Sequence, residues 1–278
     1  MQKRIAAIHD ISCFGKCSLT VALPILSAAG IETAVIPTAM LSTHTGGFQG
    51  YTFRDLTEDI LPVARHWKQS GIEVDAVYTG YLGSKRQVEL VAKAIPLIRK
   101  DNGIVIVDPV MADHGKLYGG FPPDFPQEMR KLCCVADVIT PNITEACMML
   151  GIEYKEGPYT EDYINGLISG LSQMTDGKIV LTGVYFDERR IGAACYENGQ
   201  TEYVLSERVP SFYHGTGDVF ASTLAAAVMN GRSIKAATHI AVNFTYACIK
   251  HTAEAHPEMR YGVAFEQKIP ELIKYLEL

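Results

Sequence analysis

Short β-type runs alternate with longer helical patterns along most of this chain, and no other feature of the sequence restricts its fold as strongly. Apolar and β-branched runs predict strands at residues 5–9, 32–37, 76–79, 104–108, 138–140, 178–182 and 191–196. Helical spacing predicts helices at residues 18–30, 54–70, 85–101, 125–135, 142–150 and 161–174. Because such alternation produces βαβ units, we predict an α/β fold whose mostly parallel sheet is covered by helices on both faces.

The chain is long and apolar enough to form one large domain. Its 278 residues are 47% hydrophobic and no linker divides them, so we expect a single domain over residues 1–278. A formal net charge of −6, without a Lys/Arg stripe, argues against a nucleic-acid partner. The apolar part of the N-terminal segment is too short for a signal peptide, and no run approaches a membrane span. We therefore expect a cytoplasmic protein without a membrane partner.

The seven cysteines are expected to be reduced. Their number is odd, none forms a C-x-x-C pair, and no His/Cys group has zinc-ligand spacing. Cys13 and Cys17 lie in a loop after the first strand, so they are either functional residues or small buried fillers.

Polar residues and glycines follow five of the predicted strands. These strand exits are residues 9–15, 42–47, 79–84, 108–113 and 140–145. In open parallel sheets, ligands bind beyond the carboxyl ends of the strands. We therefore expect the functional site at this edge of the sheet.

A glycine turn with a carboxylate precedes a late apolar helix pattern. Residues 212–222 are FYHGTGDVFAS, which places a helix start near Asp218. The first amides of a helix lack intrahelical partners and carry partial positive charge, so Gly215, Thr216 and Gly217 could bind a phosphate group. Asp218 could then take the proton of an alcohol that attacks the phosphate. Alternatively, Asp218 is an N-cap and the glycines form an ordinary turn.

Two nucleotide-binding motifs are matched only in part. Gly215-x-Gly217-x-x-Ala221 fits the dinucleotide fingerprint, but no buried strand is predicted before it and no acid for a ribose lies between residues 219 and 253. The FGKCS sequence at 14–18 resembles a P-loop, but Asp10 replaces its first glycine and Cys17 its Ser or Thr. Nicotinamide and Walker-type chemistry are therefore disfavoured.

Carboxylates at two strand exits are candidate ligands for Mg²⁺. Asp108 precedes a proline that ends the strand, and Asp113 could add a second oxygen. Asn142 and Glu145 share a face at a predicted helix start, so they could serve a hydrated metal ion and a nucleotide phosphate. The alternatives are a turn-capping role for Asp108 and a capping box formed by Asn142 and Glu145.

The segment 45–51, TGGFQGY, is flexible enough to form a small lid or a loop that contacts a ring, or it is an ordinary surface loop. His44 precedes this segment and His214 precedes the glycine turn, so these two are the histidines of interest.

Five motifs, in order and at compatible spacing, resemble the pyridoxal (pyridoxamine) kinases, the vitamin B6 kinases of the ribokinase-like superfamily. They are STHTG at 42–46, TGY at 79–81, DPV at 108–110, ADVITPN at 136–142 with Glu145, and GTGD at 215–218. The resemblance covers nearly the whole chain. It implies a three-layer ribokinase-like fold, usually a homodimer, that uses Mg-ATP to phosphorylate the 5′-hydroxymethyl group of a pyridoxine-type ring.

The resemblance also implies residue roles at the matching positions. Asp218 would be the base, and Gly215, Thr216 and Gly217 would form the anion hole. The ring would be bound by Asp10, Thr45, Gly46 and Tyr81. ATP would be bound by Asp108, Thr140, Asn142, Glu145 and Thr182, and Mg²⁺ would be held by Asp108, Asp113 and Glu145.

Three positions depart from the family pattern. Asp10 stands where many members have Ser, Ala112 where Gly is frequent, and His214 where an apolar residue is usual. The preferred B6 vitamer and the need for a monovalent cation are therefore left open. Three alternatives also stay open: a hydroxymethylpyrimidine kinase of the same fold, a nicotinamide-dependent oxidoreductase, and a non-catalytic B6-binding protein.

Overall fold

A nine-stranded sheet runs through residues 2–278, the part of the chain that the computed structural model describes. Its strands are β1 (Arg4–Ser12), β2 (Glu32–Leu41), β3 (Phe53–Asp55), β4 (Val74–Thr79), β5 (Arg99–Val107), β8 (Val138–Ile139), β9 (Lys178–Asp187), β10 (Arg190–Glu197) and β11 (Gln200–Glu207). Two further strands, β6 (Ala112–Asp113) and β7 (Lys116–Leu117), form a separate hairpin. The spatial order in the large sheet is β11-β10-β9-β8-β5-β4-β1-β2-β3.

The central strands of the sheet are parallel and its edges are antiparallel. Parallel pairing joins β2, β1, β4, β5, β8 and β9. Antiparallel pairing adds β10 and β11 at one edge and β3 at the other. The carboxyl ends of six strands therefore meet at one edge, which is where the sequence predicts the site.

Helices cover both faces of the sheet and enclose two apolar cores. One face carries α2 (Ile60–Gln69), α3 (Lys85–Ile98), α4 (Phe125–Cys133), α5 (Ile143–Leu150) and α6 (Glu161–Met174). The other carries α1 (Leu19–Ala28), α7 (Thr216–Met229), α8 (Ile234–Ala255) and α9 (Ile269–Leu276). The prediction of an α/β fold with helices on both faces is confirmed. Within residues 2–278, none of the helices combines the length and apolar character that a membrane span requires.

Two predicted helices begin or end at the wrong residue. The helix predicted from residue 54 starts later, because Arg54 and Asp55 pair with β2 in strand β3. Asp55 then accepts a hydrogen bond from the Thr57 amide at 2.7 Å, which begins a 3₁₀ turn before α2. The helix predicted to reach residue 101 ends at Ile98, because Arg99 pairs with Val74 at the start of β5.

A bulge near the end of β1 marks the edge where the site lies. The register of β1 against β2 shifts between His9 and Ile11. Bulges are frequent next to active sites, because they turn a side chain away from its regular alternation. The residue at this shift is Asp10.

Candidate active site

The glycine turn begins helix α7. Gly215 is the N-cap, at φ 75°, and Thr216 is the first helical residue. A Cβ on Gly215 would stand 1.8 Å from the Lys16 carbonyl oxygen, so both the backbone conformation and the space require glycine. Asp218 is therefore the third helical residue, and the alternative that it is the N-cap is wrong.

The first turn of α7 leaves room for an anion. The amides of Thr216, Gly217 and Asp218 lie in the first turn, where helical amides have no intrahelical acceptor. A Cβ on Gly217 would meet no atom within 4 Å, so the surface of this turn is open. Exposed amides and the positive end of the helix dipole make this turn suited to phosphate oxygens.

Asp218 is half-buried and lies near Ser18 and Asp10. Burial raises its pKa to about 7, the Ser18 backbone amide opposes this rise, and the Asp10 charge adds to it. A carboxyl with a pKa near 7 is well suited to accept a proton at neutral pH.

Ser18 lies beside both Asp10 and Asp218; the P-loop-like FGKCS sequence contains it, but no role at the site was predicted for it. It precedes α1 with φ 53° and ψ −128°, an unfavourable conformation for a residue with a side chain. Its hydroxyl lowers the pKa of Asp10, and its amide lowers the pKa of Asp218. Its side chain does not cap α1, although its carbonyl accepts hydrogen bonds from the Val21 and Ala22 amides at 3.1 and 2.9 Å.

Asp10 is a buried carboxylate, only 5% exposed, at the end of β1. Ser12 donates a hydrogen bond to its Oδ2 at 3.4 Å, whereas Oδ1 has no partner in the described chain. Burial raises its pKa, against the effect of Ser18 and Ser12. Asp10 lies near Tyr81, since burial and then the Asp10 charge raise the pKa of Tyr81 to about 12.

The residues predicted to bind ATP come together at the ends of β5, β8 and β9. Asn142 and Glu145 form a capping box, with reciprocal hydrogen bonds of 2.9 Å, as the alternative interpretation proposed. Glu145 also accepts from the Met111 amide at 3.0 Å. Thr182 bridges to Asn142, and its amide donates to the Pro141 carbonyl at 2.9 Å.

Asp108 and Glu145 form a buried acidic pair. They are 7% and 3% exposed. Burial raises both pKa values; the charges of Glu145 and Asp218 add to the rise at Asp108, and the Thr140 hydroxyl lowers it. The ion pairs found within residues 2–278 include neither residue, nor Asp10 or Asp218. None of these four buried or half-buried carboxyls therefore has a salt-bridge partner in the described chain.

The carboxylates do not form a complete metal site by themselves. In the described part of the chain, no three His, Cys, Asp or Glu side chains lie close enough to hold an ion together. Asp113 is half-buried in β6, and its Oδ1 accepts a hydrogen bond from the His114 amide at 2.8 Å. The donor set still fits Mg²⁺, which is commonly held by one or two carboxylates together with phosphate oxygens and water.

Segment 45–51 lies against the glycine turn. Thr45 is exposed, whereas Gly46 is half-buried, and a Cβ on Gly46 would stand 2.5 Å from Nδ1 of His214. His44 is buried, with its ring centroid 5.5 Å from that of His214. The two histidines singled out from the sequence are therefore neighbours.

A buried polar layer beneath the site had no sequence signal. The Tyr78 hydroxyl lies 3.5 Å from Ser222 Oγ, and burial and then the charges of Asp108 and Asp218 raise its pKa. The His9 ring packs on Tyr78 with a centroid distance of 4.5 Å, and burial lowers its pKa to about 3. Tyr78 and His9 therefore stay neutral at physiological pH.

Comparison with known proteins identifies the family. A family model described as phosphomethylpyrimidine kinase matches residues 23–262, well over half of the chain. The chain belongs to the phosphomethylpyrimidine kinase family. This kinase is 30% identical to pyridoxine kinase of Bacillus subtilis over 187 residues, which are 66% of each chain.

Two solved structures are similar to the kinase over almost its entire length. One is a Bacteroides thetaiotaomicron protein assigned as a phosphomethylpyrimidine kinase and crystallised with pyridoxal. It is 36% identical with a TM-score of 0.92, and the match covers 98% of this chain and 96% of that chain. The other is pyridoxal kinase of Lactobacillus plantarum, which is 29% identical with a TM-score of 0.90, covering 100% of this chain and 98% of that chain. The predicted ribokinase-like fold and kinase class are confirmed. The kinase family and fold exclude the hypothesis of a nicotinamide-dependent oxidoreductase. The strand that a dinucleotide fingerprint needs before its glycines is also missing, since residues 208–214 form no strand.

Proposed function

We propose that this kinase transfers the terminal phosphoryl group of ATP to the 5′-hydroxymethyl group of a B6 vitamer, with pyridoxal 5′-phosphate or an analogue as product. The observation that carries the proposal is the position of Asp218 between two groups of residues. Its charge adds to the rise in pKa of Asp108 on the nucleotide side, and the Asp10 charge adds to the rise in its own pKa on the ring side. The name of the Bacillus subtilis relative and the pyridoxal in the Bacteroides structure support the choice of acceptor.

In the proposed reaction, the substrate alcohol oxygen forms a bond to the γ-phosphorus while the bond to the β,γ-bridging oxygen breaks, and ADP leaves. Asp218 takes the alcohol proton. The amides of Gly215, Thr216 and Gly217 stabilise the charge on the transferred oxygens. Positioning and charge stabilisation are the main demands of phosphoryl transfer, and the open first turn of α7 is suited to both.

The B6 vitamer and ATP are assigned to separate groups of residues. We assign the ring to Asp10, Thr45, Gly46 and Tyr81, and the nucleotide to Asp108, Thr140, Asn142, Glu145 and Thr182. Asp108 and Glu145, with Asp113 nearby, would hold Mg²⁺. A bound Mg²⁺ would neutralise phosphate charge and relieve the repulsion between the buried carboxylates.

A phosphoryl-transfer assay with Mg-ATP tests the proposal directly. Pyridoxal, pyridoxamine, pyridoxine and hydroxymethylpyrimidine are each supplied, and ADP and the phosphorylated product are measured. We expect at least one B6 vitamer to be phosphorylated with a higher kcat/KM than hydroxymethylpyrimidine. The family model favours hydroxymethylpyrimidine as the second candidate, and a preference for it would overturn the proposal. Vitamer binding without ADP formation would instead indicate a binding protein.

The pH profile should show the titration of Asp218. Its pKa of about 7 lies well above the ordinary value, so the fraction in the proton-accepting form falls as the pH decreases through 7. We expect kcat/KM to decrease about tenfold per pH unit below that point. Rates measured from pH 5.5 to 8.5 check this, and a flat profile across that range would contradict a base with this pKa.

Asp10→Asn should move that profile. Removing the Asp10 charge takes away one cause of the raised pKa of Asp218, so the acid limb is expected to shift to lower pH. Wild type and variant are compared with the same vitamer, so that titration of the substrate cancels. Asp10→Ser introduces the residue that the family resemblance implies at this position, and a change in the ranking of kcat/KM among the vitamers would indicate that Asp10 affects ring preference.

We also propose that residues 1–278 form a single kinase domain that acts in the cytoplasm as a homodimer. The continuous nine-stranded sheet supports the single domain. Light scattering coupled to gel filtration would give the mass of the assembly, for which a monomer is 30.5 kDa.

A further inference from the structure

Segment 45–51 is held at its base by hydrogen bonds but not along its length. The Ser42 amide donates to the Thr52 carbonyl at 3.1 Å, and the His44 amide donates to the Phe14 carbonyl at 3.3 Å. Between these two points, residues 45–51 make no hydrogen bond to any other part of residues 2–278. Packing must therefore determine where Thr45 and Gly46 lie.

The His214 ring packs against two glycines of this segment. A Cβ on Gly46 would lie 2.5 Å from Nδ1 of His214, 2.6 Å from Cε1 and 2.9 Å from Cγ, so the ring occupies the space beside a glycine. A Cβ on Gly47 would also lie 3.7 Å from Nε2. The imidazole therefore fits against the backbone of two consecutive glycines, and a side chain at Gly46 would collide with it.

Two other aromatic rings, those of His44 and Phe212, pack near the His214 imidazole. His44 is 4% exposed, and its ring centroid lies 5.5 Å from that of His214 and 5.0 Å from that of Phe48. Phe212 packs edge-on against His214 at 5.4 Å. Ring centroids 4.5–7 Å apart are typical of favourable aromatic pairs.

His214 makes no side-chain hydrogen bond or ion pair within the described chain, and it directly precedes Gly215, the N-cap of α7. We infer that His214 is a positioning residue: its ring holds segment 45–51 against the glycine turn and so sets the distance between the ring-binding residues and the anion hole. This inference rests on the proposed function, in which Thr45 and Gly46 bind the substrate ring.

Three substitutions of His214 separate ring packing from hydrogen bonding. His214→Ala removes both, His214→Asn keeps a donor without the ring, and His214→Phe keeps the ring without a donor. We expect Ala and Asn to raise the KM of the alcohol substrate about tenfold, with kcat and the KM of ATP within about threefold of wild type. Phe should restore most of the lost affinity. Rescue by Asn and not by Phe would show that the imidazole acts through a hydrogen bond, and would overturn the inference.

A double-mutant cycle with Gly46→Ala tests the contact itself. In the wild-type background the new methyl group collides with the His214 ring, so the KM of the alcohol should rise about tenfold. In the His214→Ala background that space is free, so adding Gly46→Ala should raise KM several-fold less than it does in the wild-type background. Additive effects would show that the two residues act independently, contrary to the inference.

Limited proteolysis provides a readout that needs no substrate. Chymotrypsin can cut after Phe48 and Tyr51, and we expect His214→Ala to raise the cleavage rate several-fold while His214→Phe leaves it near the wild-type value. Equal cleavage in all variants would overturn the packing role. If wild type phosphorylates no B6 vitamer but the cleavage pattern is as expected, the proposed function fails while the packing role of His214 stands.

Discussion

Asp218→Asn is expected to lower kcat by about 10²–10⁴-fold, because the amide cannot accept the alcohol proton. The side chain keeps its size and its place in the first turn of α7, so the KM of ATP should stay within about threefold. Steady-state kinetics with saturating ATP measure the first effect, and nucleotide titration of the variant measures the second.

A matched control separates the loss of a base from the loss of a charge at a helix start. Asp162 lies exposed in the first turn of α6, and the strand ends that form the site lie elsewhere. Asp162→Asn should leave kcat within about twofold of wild type, since surface substitutions away from such features have small effects. Asp218 is the one carboxylate in the first turn of α7, so no neighbour in that turn could replace it as the base. Near-normal turnover in Asp218→Asn would therefore contradict its assignment as the base.

The parallel core of the sheet could be predicted because each of its strands is a compact apolar run followed by polar residues. The strand exits then brought Asp10, Asp108 and Asn142 to one edge, as open parallel sheets require, and the first turn of α7 adds Asp218 there. Helix α8 was not predicted, although its buried positions 234, 237, 238, 241 and 242 have helical spacing. Two of its buried residues are threonines, which interrupt the apolar pattern of the sequence. Their hydroxyls donate to carbonyls one turn earlier, at 2.8 Å for Thr238 and 2.7 Å for Thr252.

The parts of the site that escaped prediction depend on long-range packing. Ser18 was predicted only as the first residue of a helix, and its position beside the carboxyls of Asp10 and Asp218 depends on how the segment before α1 packs against β1 and α7. Tyr78 lies inside an apolar strand, where a tyrosine carries no functional signal, yet its hydroxyl reaches Ser222 on α7. The contact between His214 and Gly46 joins residues far apart in the chain, and no local spacing predicts it.

Gly215→Ala is expected to reduce both stability and activity strongly. The positive φ of 75° alone costs about 1 kcal/mol for a residue with a Cβ. The Cβ would also lie 1.8 Å from the Lys16 carbonyl oxygen and 3.4 Å from Cys17 Sγ, so the main chain before α1 must move. Overpacking of this kind costs a further 1–3 kcal/mol, roughly. Because Ser18 follows in that same segment, Asp218 loses its neighbouring amide, and kcat/KM should fall about 10²-fold or more.

Gly231→Ala isolates the part of this effect that is due to backbone conformation. Gly231 follows α7 at φ 81°, and a Cβ there would meet nothing within 4 Å. We expect this variant to lose only about 1 kcal/mol of unfolding free energy and to keep kcat/KM within about twofold of wild type. Thermal or urea unfolding and steady-state kinetics on both variants give the comparison. If Gly215→Ala lost no more unfolding free energy and kcat/KM than Gly231→Ala, the close approach of the glycine turn to Lys16 would have no part in forming the anion hole. A larger loss in Gly215→Ala alone would show that the anion hole depends on the segment that contains Ser18.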